Sequence, residues 1–143
     1  MSTPLDPDVG SRVSGYADST YGRFILSARS NHFVSDARVL QGGPGEATSA
    51  GEFLLAGLVS CGLGLVHANA RANGEPRPDV TLTAEFLRDP QDSTRFASLT
   101  LVFAFRGIDR VAAQRHVEHF TSRCPIYNTL RRGGPIEVRI ETA

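Results

Sequence analysis

The chain of 143 residues reads as an α+β protein. Three observations predict this. Residues 53–66 carry no charge and sit between recognisable helix start and stop signals. Two later stretches, 80–87 and 97–105, alternate apolar and polar residues with a period of two. A shorter strand-like pair, 21–27 and 32–34, precedes the helix. The resulting order, β-β-β-α-β-β-α-α-β, implies a mainly antiparallel sheet covering a buried helix.

Residues 1–20 are rich in Ser, Asp, Pro and Gly and read as a flexible N-terminal segment, leaving 21–143 as a single domain. Arg29, Ser30 and Asn31 separate the first two runs, which suggests a hairpin followed by a third short strand. QGGPGEATSA is loop. Ser49 and Glu52 have capping-box spacing, and Asn73-Gly74 followed by Pro76 supplies a stop, bounding a helix of about 20 residues. A helix apolar on every side must be enclosed by protein. No apolar stretch reaches the roughly 18 residues that a membrane span requires. Gly57, Gly62 and Gly64 each cost about 1 kcal/mol relative to Ala in a helix, so their presence predicts close approach of another backbone. One short chain has little with which to wrap such a helix.

Val80, Leu82, Ala84 and Phe86 share one face of the next strand. Leu99, Leu101, Phe103 and Phe105 share one face of its neighbour, across the turn DPQDSTR. Asp109 can cap the amphipathic helix RVAAQRHVEHFTSR, where His116 and His119 share a face at i, i+3 and read as solvated surface. After Cys124-Pro125 come a short helix ending near Gly133-Gly134 and a last strand, IEVRIE.

Fifteen acidic and fifteen basic residues give a net charge of zero, which argues against nucleic acid or an anionic membrane as the main partner. Every basic residue is arginine. Lysine Schiff-base chemistry is excluded, and any cation recruited to a site is a permanently charged guanidinium. The opening lacks the basic start and apolar run of a secretory signal, so the expected location is cytoplasmic. Two cysteines in a reducing compartment fit thiols, or a disulfide made and broken in turnover, better than a permanent staple. No C-x-x-C or H-x-x-x-H pattern indicates a metal.

Cys61 lies in the middle of the uncharged helix, where a free cysteine also packs as a small hydrophobe. Cys124 differs. Proline favours the first helical position, so Cys124 becomes the N-cap, with free N–H groups and the positive end of the helix dipole near its sulfur. Such a position favours the thiolate form.

GGPGEATSAGEFLLAGLVSCG, followed some 60 residues later by CPIYNTL, resembles the OsmC/Ohr family of peroxide-reducing proteins. The similarity extends over roughly residues 21 to 142. It implies an intertwined homodimer, with two long central helices packed between mainly antiparallel sheets and active sites at the dimer interface. It also implies reduction of organic hydroperoxides by a cysteine pair that an external dithiol recycles, without flavin, haem or metal. By this resemblance Cys61 is the peroxidatic thiol and Cys124 the resolving one, and the two form a disulfide in each cycle. Burial alone would raise the pKa of Cys61, so a cation must be supplied. The family places an arginine in the N-terminal hairpin turn, oriented by a glutamate. Arg29 occupies that turn here, with Arg23 and Arg38 as alternatives.

The glutamate departs from the pattern, because Gly51 stands at the family position and Glu52 one residue later. Nine helical steps separate Glu52 from Cys61, about 900° of rotation and about 13 Å of rise, so they cannot touch within one helix. Glu52 is the candidate for the role, with Glu46 behind it. A pocket of Phe53, Leu58, Ile126 and Tyr127 would receive the substrate. The rival reading is an OsmC-like binding protein that holds an apolar or thiol-bearing small molecule without turnover. Acyl transfer would need a histidine beside the thiol, and His67 points about 240° away from Cys61.

Overall fold

The computed structural model describes residues 10–142, and they divide into two compact units, one up to Leu54 and one from Leu55 onward. Each unit is described by itself.

The first unit is a three-stranded antiparallel sheet in the order β1-β2-β3, comprising β1 (Ser14–Ala17), β2 (Arg23–Ala28) and β3 (Asn31–Asp36). Three strands precede the helix as predicted, but the third lies before the hairpin, inside the stretch predicted to be loose. Nor does a strand follow β3. Ala37 donates its N–H to Gly22 at 2.7 Å and Gly43 to Arg38 at 3.1 Å, so the chain turns away from the sheet. It then forms a single 3-10 turn, Val39–Gln41, closed by Gly42 at φ 84°. In the β2–β3 hairpin Ala28 pairs with Asn31, so the connection is only Arg29-Ser30.

Helix α1 spans Ala50–Ala72 and belongs to the first unit only by its opening residues. Its start is the predicted capping box. The Ser49 N–H donates to Glu52 Oε1 at 2.9 Å, and the Glu52 N–H donates to Ser49 Oγ at 3.4 Å. Gly74, at φ 65°, follows its end. With 23 residues and a mean hydropathy of 1.6 over its most apolar window, α1 does have the length and composition of a membrane span. The uncharged run 53–66 has only 14 residues, and the helix continues beyond it at both ends. Its burial is one-sided, with Leu58, Gly62, Val66 and Ala70 enclosed at intervals of four, as in a helix lying on a core.

In the second unit β4 (Asp79–Arg88) and β5 (Phe96–Arg106) form an antiparallel hairpin. The predicted faces pair directly, Val80 with Phe105, Leu82 with Phe103, Ala84 with Leu101 and Phe86 with Leu99. Gly62 marks where this hairpin meets α1. A Cβ there would collide with Leu82 and lie 3.3 Å from Phe103, so side chains rather than a second backbone require the glycine. Helix α2 (Arg110–Arg123) is capped by Asp109, which accepts from the Ala112 N–H at 2.8 Å. Helix α3 (Pro125–Arg132) closes on Gly133 at φ 63°. The core comprises Leu58, Val66, Ala70, Leu82, Phe120 and Cys124.

The predicted last strand does not form. Residues 134–142 have no regular structure, and Ile136, Val138 and Ile140 are 91, 84 and 87% exposed. The alternation is that of a strand, but a strand needs a neighbouring edge to satisfy its backbone, and among the described residues none pairs with it.

Candidate active site

Cys61, midway along α1, and Cys124, at the junction of α2 and α3, are both free thiols, and the fold makes them neighbours close enough to act on each other's ionisation. Their surroundings differ. Cys124 is fully buried and caps α3, its Sγ accepting the Tyr127 N–H at 3.3 Å, as Pro125 at the first helical position predicts. Asn128 secures this cap by donating its amide to Thr121 O at 3.1 Å and to Cys124 O at 2.9 Å. Cys61 is partly exposed. Its thiol is pushed up to about 11, first by burial and then by the hydrogen bond and charge of Cys124. Within this unit no guanidinium offsets that rise.

Arg29 heads the hairpin turn of the first unit, exposed, at φ 56°. It is the one non-glycine residue with positive φ among the described residues. The alternative Arg23 is already engaged. Its Nε and Nη2 form a fork on the buried Asp36 carboxylate at 2.8 and 2.9 Å, which holds Asp36 far below the usual carboxylate range. Asp36 also accepts from the backbone N–H groups of Glu46 and Ala47 at 3.1 and 2.8 Å. Glu46 itself is exposed, 3.7 Å from Arg23. Arg38 is exposed before the 3-10 turn, and its charge helps to lower Glu52. The larger causes are the Ser49 backbone N–H, which donates to the Glu52 carboxylate, and then the Ser49 side chain, so Glu52 acts here as a helix cap.

Of the residues predicted to line a pocket, Leu58 is core at 2% exposure and Tyr127 packs on Phe120, with ring centroids 5.2 Å apart. Ile126 is 39% exposed on α3, and Phe53 packs against Phe33 in the first unit. Among the described residues no cluster of His, Cys, Asp or Glu is arranged to hold a metal ion.

One polar residue lies elsewhere than its sequence position predicts. His116 is not on the surface but 1% exposed, with Nδ1 at 3.0 Å from Asn69 Nδ2 and Nε2 at 3.3 Å from Glu75 Oε2. The signal lay in the helical period, since His116 and Phe120, four apart, share the buried face.

Comparison with known proteins agrees with this architecture. Among curated proteins, none matches the chain in sequence. Among solved structures, the OsmC-like protein of Mycoplasma pneumoniae superposes with a TM-score of 0.74 at 16% identity, covering 87% of this chain and 89% of that one. The organic hydroperoxide resistance protein OhrB of Bacillus subtilis gives 0.61 at 18% identity, covering 86% and 91%. An organic hydroperoxide resistance protein of Legionella pneumophila gives 0.62 at 18% identity, covering 88% and 92%. At these identities the structures share the fold. The sequence model of the OsmC-like proteins matches residues 43–139, a span that holds the whole of α1, the β4–β5 hairpin and both cysteines, and the chain therefore belongs to the OsmC-like protein family.

Proposed function

We propose that this protein is a cytoplasmic thiol peroxidase that reduces organic hydroperoxides through a Cys61–Cys124 disulfide cycle. The observation that carries the reading is the pair of adjacent free thiols with unequal access, Cys61 reachable from solvent and Cys124 enclosed beside it. Cys61 as thiolate attacks the distal peroxide oxygen, the O–O bond breaks, and the departing alkoxide takes a proton to become an alcohol. Cys61 is left as sulfenic acid. Cys124 then attacks that sulfur, water leaves, and a disulfide remains for an external dithiol to reduce. Overall, two thiols and one hydroperoxide give a disulfide, an alcohol and water.

A thiol raised to about 11 is ionised to only about one part in ten thousand at pH 7, so the reaction needs a cation. We assign that role to Arg29, the hairpin arginine with no carboxylate partner among the described residues, and its delivery to assembly of a homodimer. The Bacillus subtilis and Legionella pneumophila proteins are organic hydroperoxide resistance proteins, which supports the substrate class. Glu52 stands second as the residue that orients Arg29, because its cap already uses the carboxylate.

The test is one equivalent of cumene hydroperoxide added to reduced protein, followed by thiol counting and peptide mapping. A Cys61–Cys124 disulfide within seconds is expected. Cys61→Ser should abolish it, and Cys124→Ser should halt at sulfenic acid or overoxidise. Unchanged thiols would instead favour a non-turnover binding protein, the reading to which the protonated Cys61 thiol lends support.

A further inference from the structure

A disulfide tolerates little error, since its two Cα atoms must lie about 4.4–6.8 Å apart. Cys61 and Cys124 come from different helices, and apolar packing fixes helix register poorly. A slip of one residue moves a side chain by about 1.5 Å along the axis and about 100° around it. Something other than the apolar seam must hold the two sulfurs opposite each other.

Asn69 lies eight residues beyond Cys61 on α1, and His116 lies eight residues before Cys124 on α2. The two helices therefore run antiparallel. Their polar contact and their thiol contact share one register, about 12 Å apart along the axes. Between them each helix buries one apolar residue, Val66 and Phe120.

The polar contact is part of a directed chain. Asn73 Nδ2 donates to Asn69 Oδ1 at 3.2 Å, so the amide of Asn69 presents Nδ2 to His116 Nδ1 at 3.0 Å. This network assigns the proton of His116 to Nε2, which donates to Glu75 Oε2 at 3.3 Å, while Glu75 Oε1 accepts from Arg115 at 3.0 Å. Phe105 stacks on the imidazole at 5.9 Å. Sliding the helices would leave a 1% exposed histidine without partners, whereas an apolar pair in its place would penalise the slide much less.

We propose that Asn69 and His116 are positioning residues, a buried hydrogen-bonded lock whose helix register holds Cys61 opposite Cys124. The inference rests on the reading of these cysteines as a redox pair.

The experiment equilibrates the protein with glutathione buffers, without peroxide. The two thiols give up two electrons and two protons, and one glutathione disulfide becomes two thiols. Asn69→Leu should lower the equilibrium constant for the intramolecular disulfide at least tenfold. Asp109→Ala, which uncaps α2 without touching the lock, should leave it unchanged. Asn69→Ser removes the same bond with a smaller change of shape, and reads the same quantity should Asn69→Leu not fold. A constant equal to wild type in the Asn69 variants overturns the lock alone, as does a fall no larger than that in Asp109→Ala. A wild-type chain that forms no Cys61–Cys124 disulfide overturns the lock together with the proposed function.

Discussion

Arg29 holds a conformation that costs an L-residue roughly 1–2 kcal/mol, at a turn position where glycine or asparagine would sit without strain. Replacing it with glycine separates two roles. Arg29→Gly should leave the thermal midpoint unchanged or slightly higher, while losing most of the peroxide reactivity at pH 7. In that variant the rate of Cys61 alkylation should climb about tenfold per pH unit toward the inflection near 11, whereas wild type levels off earlier. Equal profiles would remove Arg29 from the site. In the Arg29→Gly protein the same thiol has a stability consequence of defined sign. Its folded pKa is raised, so the folded state keeps a proton that the unfolded state loses. The contribution is therefore complete below about 9 and fades as pH rises toward about 11. At this scale the sequence was informative about Cys124, because proline dictates a cap locally, and about the apolar surroundings of Cys61, but not about its neighbour, which comes from the other end of the chain.

Among the elements, the segment after β3 depends on one carboxylate. Asp36 accepts the Arg23 fork and two backbone N–H groups from the loop that leads into α1, so Asp36→Ala should unfasten three groups at once. Its folded pKa lies below the unfolded value. The stabilisation is present at neutral pH and is lost as pH falls below the ordinary carboxylate range, so acid should narrow the gap between variant and wild type. Thermal melts at pH 7 and pH 3 would read this; a gap that widens in acid would refute it. Helix α1 offers a second comparison. Gly62→Ala inserts a methyl against Leu82 and Phe103, whereas nothing lies within 4 Å of a Cβ at Gly64 in this chain. As isolated helix substitutions both should gain about 1 kcal/mol, so a lower denaturation midpoint for Gly62→Ala alone would locate the packing cost. The three helices and the β2–β3 and β4–β5 hairpins were legible because periodicity and caps are local. The position of the third strand was not, because Gly22 and Arg38 redirect the chain through backbone bonds that composition does not reveal.

For the whole molecule, two surfaces left open by one chain bear on assembly. Along α1, Ala56, Ser60, Gly64 and Ala68 are exposed at intervals of four, a stripe small enough for another helix to approach closely. At the C-terminal end Ile136, Val138 and Ile140 keep strand alternation without a strand partner. Both features were visible in the sequence as an uncharged helix and the run IEVRIE, and neither is satisfied by intrachain contacts, which is why the sequence named the elements without fixing their partner. The second copy of the proposed homodimer would meet both needs. A stable interface buries about 1,200–2,000 Å² in total, which a helix stripe and a strand from each chain can supply. The expected mass by sedimentation equilibrium is twice the 15.4 kDa of the chain. Gly64→Arg, which places a guanidinium on the stripe where a single chain has open space, should shift the protein toward monomer while its circular dichroism remains helical. Deletion of residues 135–143 should weaken the dimer to a lesser degree, since it removes the strands and spares the helices. On the proposal that assembly delivers the cation to Cys61, the monomeric Gly64→Arg protein should also lose peroxide reactivity at pH 7 and recover part of it at pH 10. A Gly64→Arg monomer with full reactivity at pH 7 would show that one chain supplies its own arginine, and a wild-type mass of 15.4 kDa would dismiss the assembly altogether.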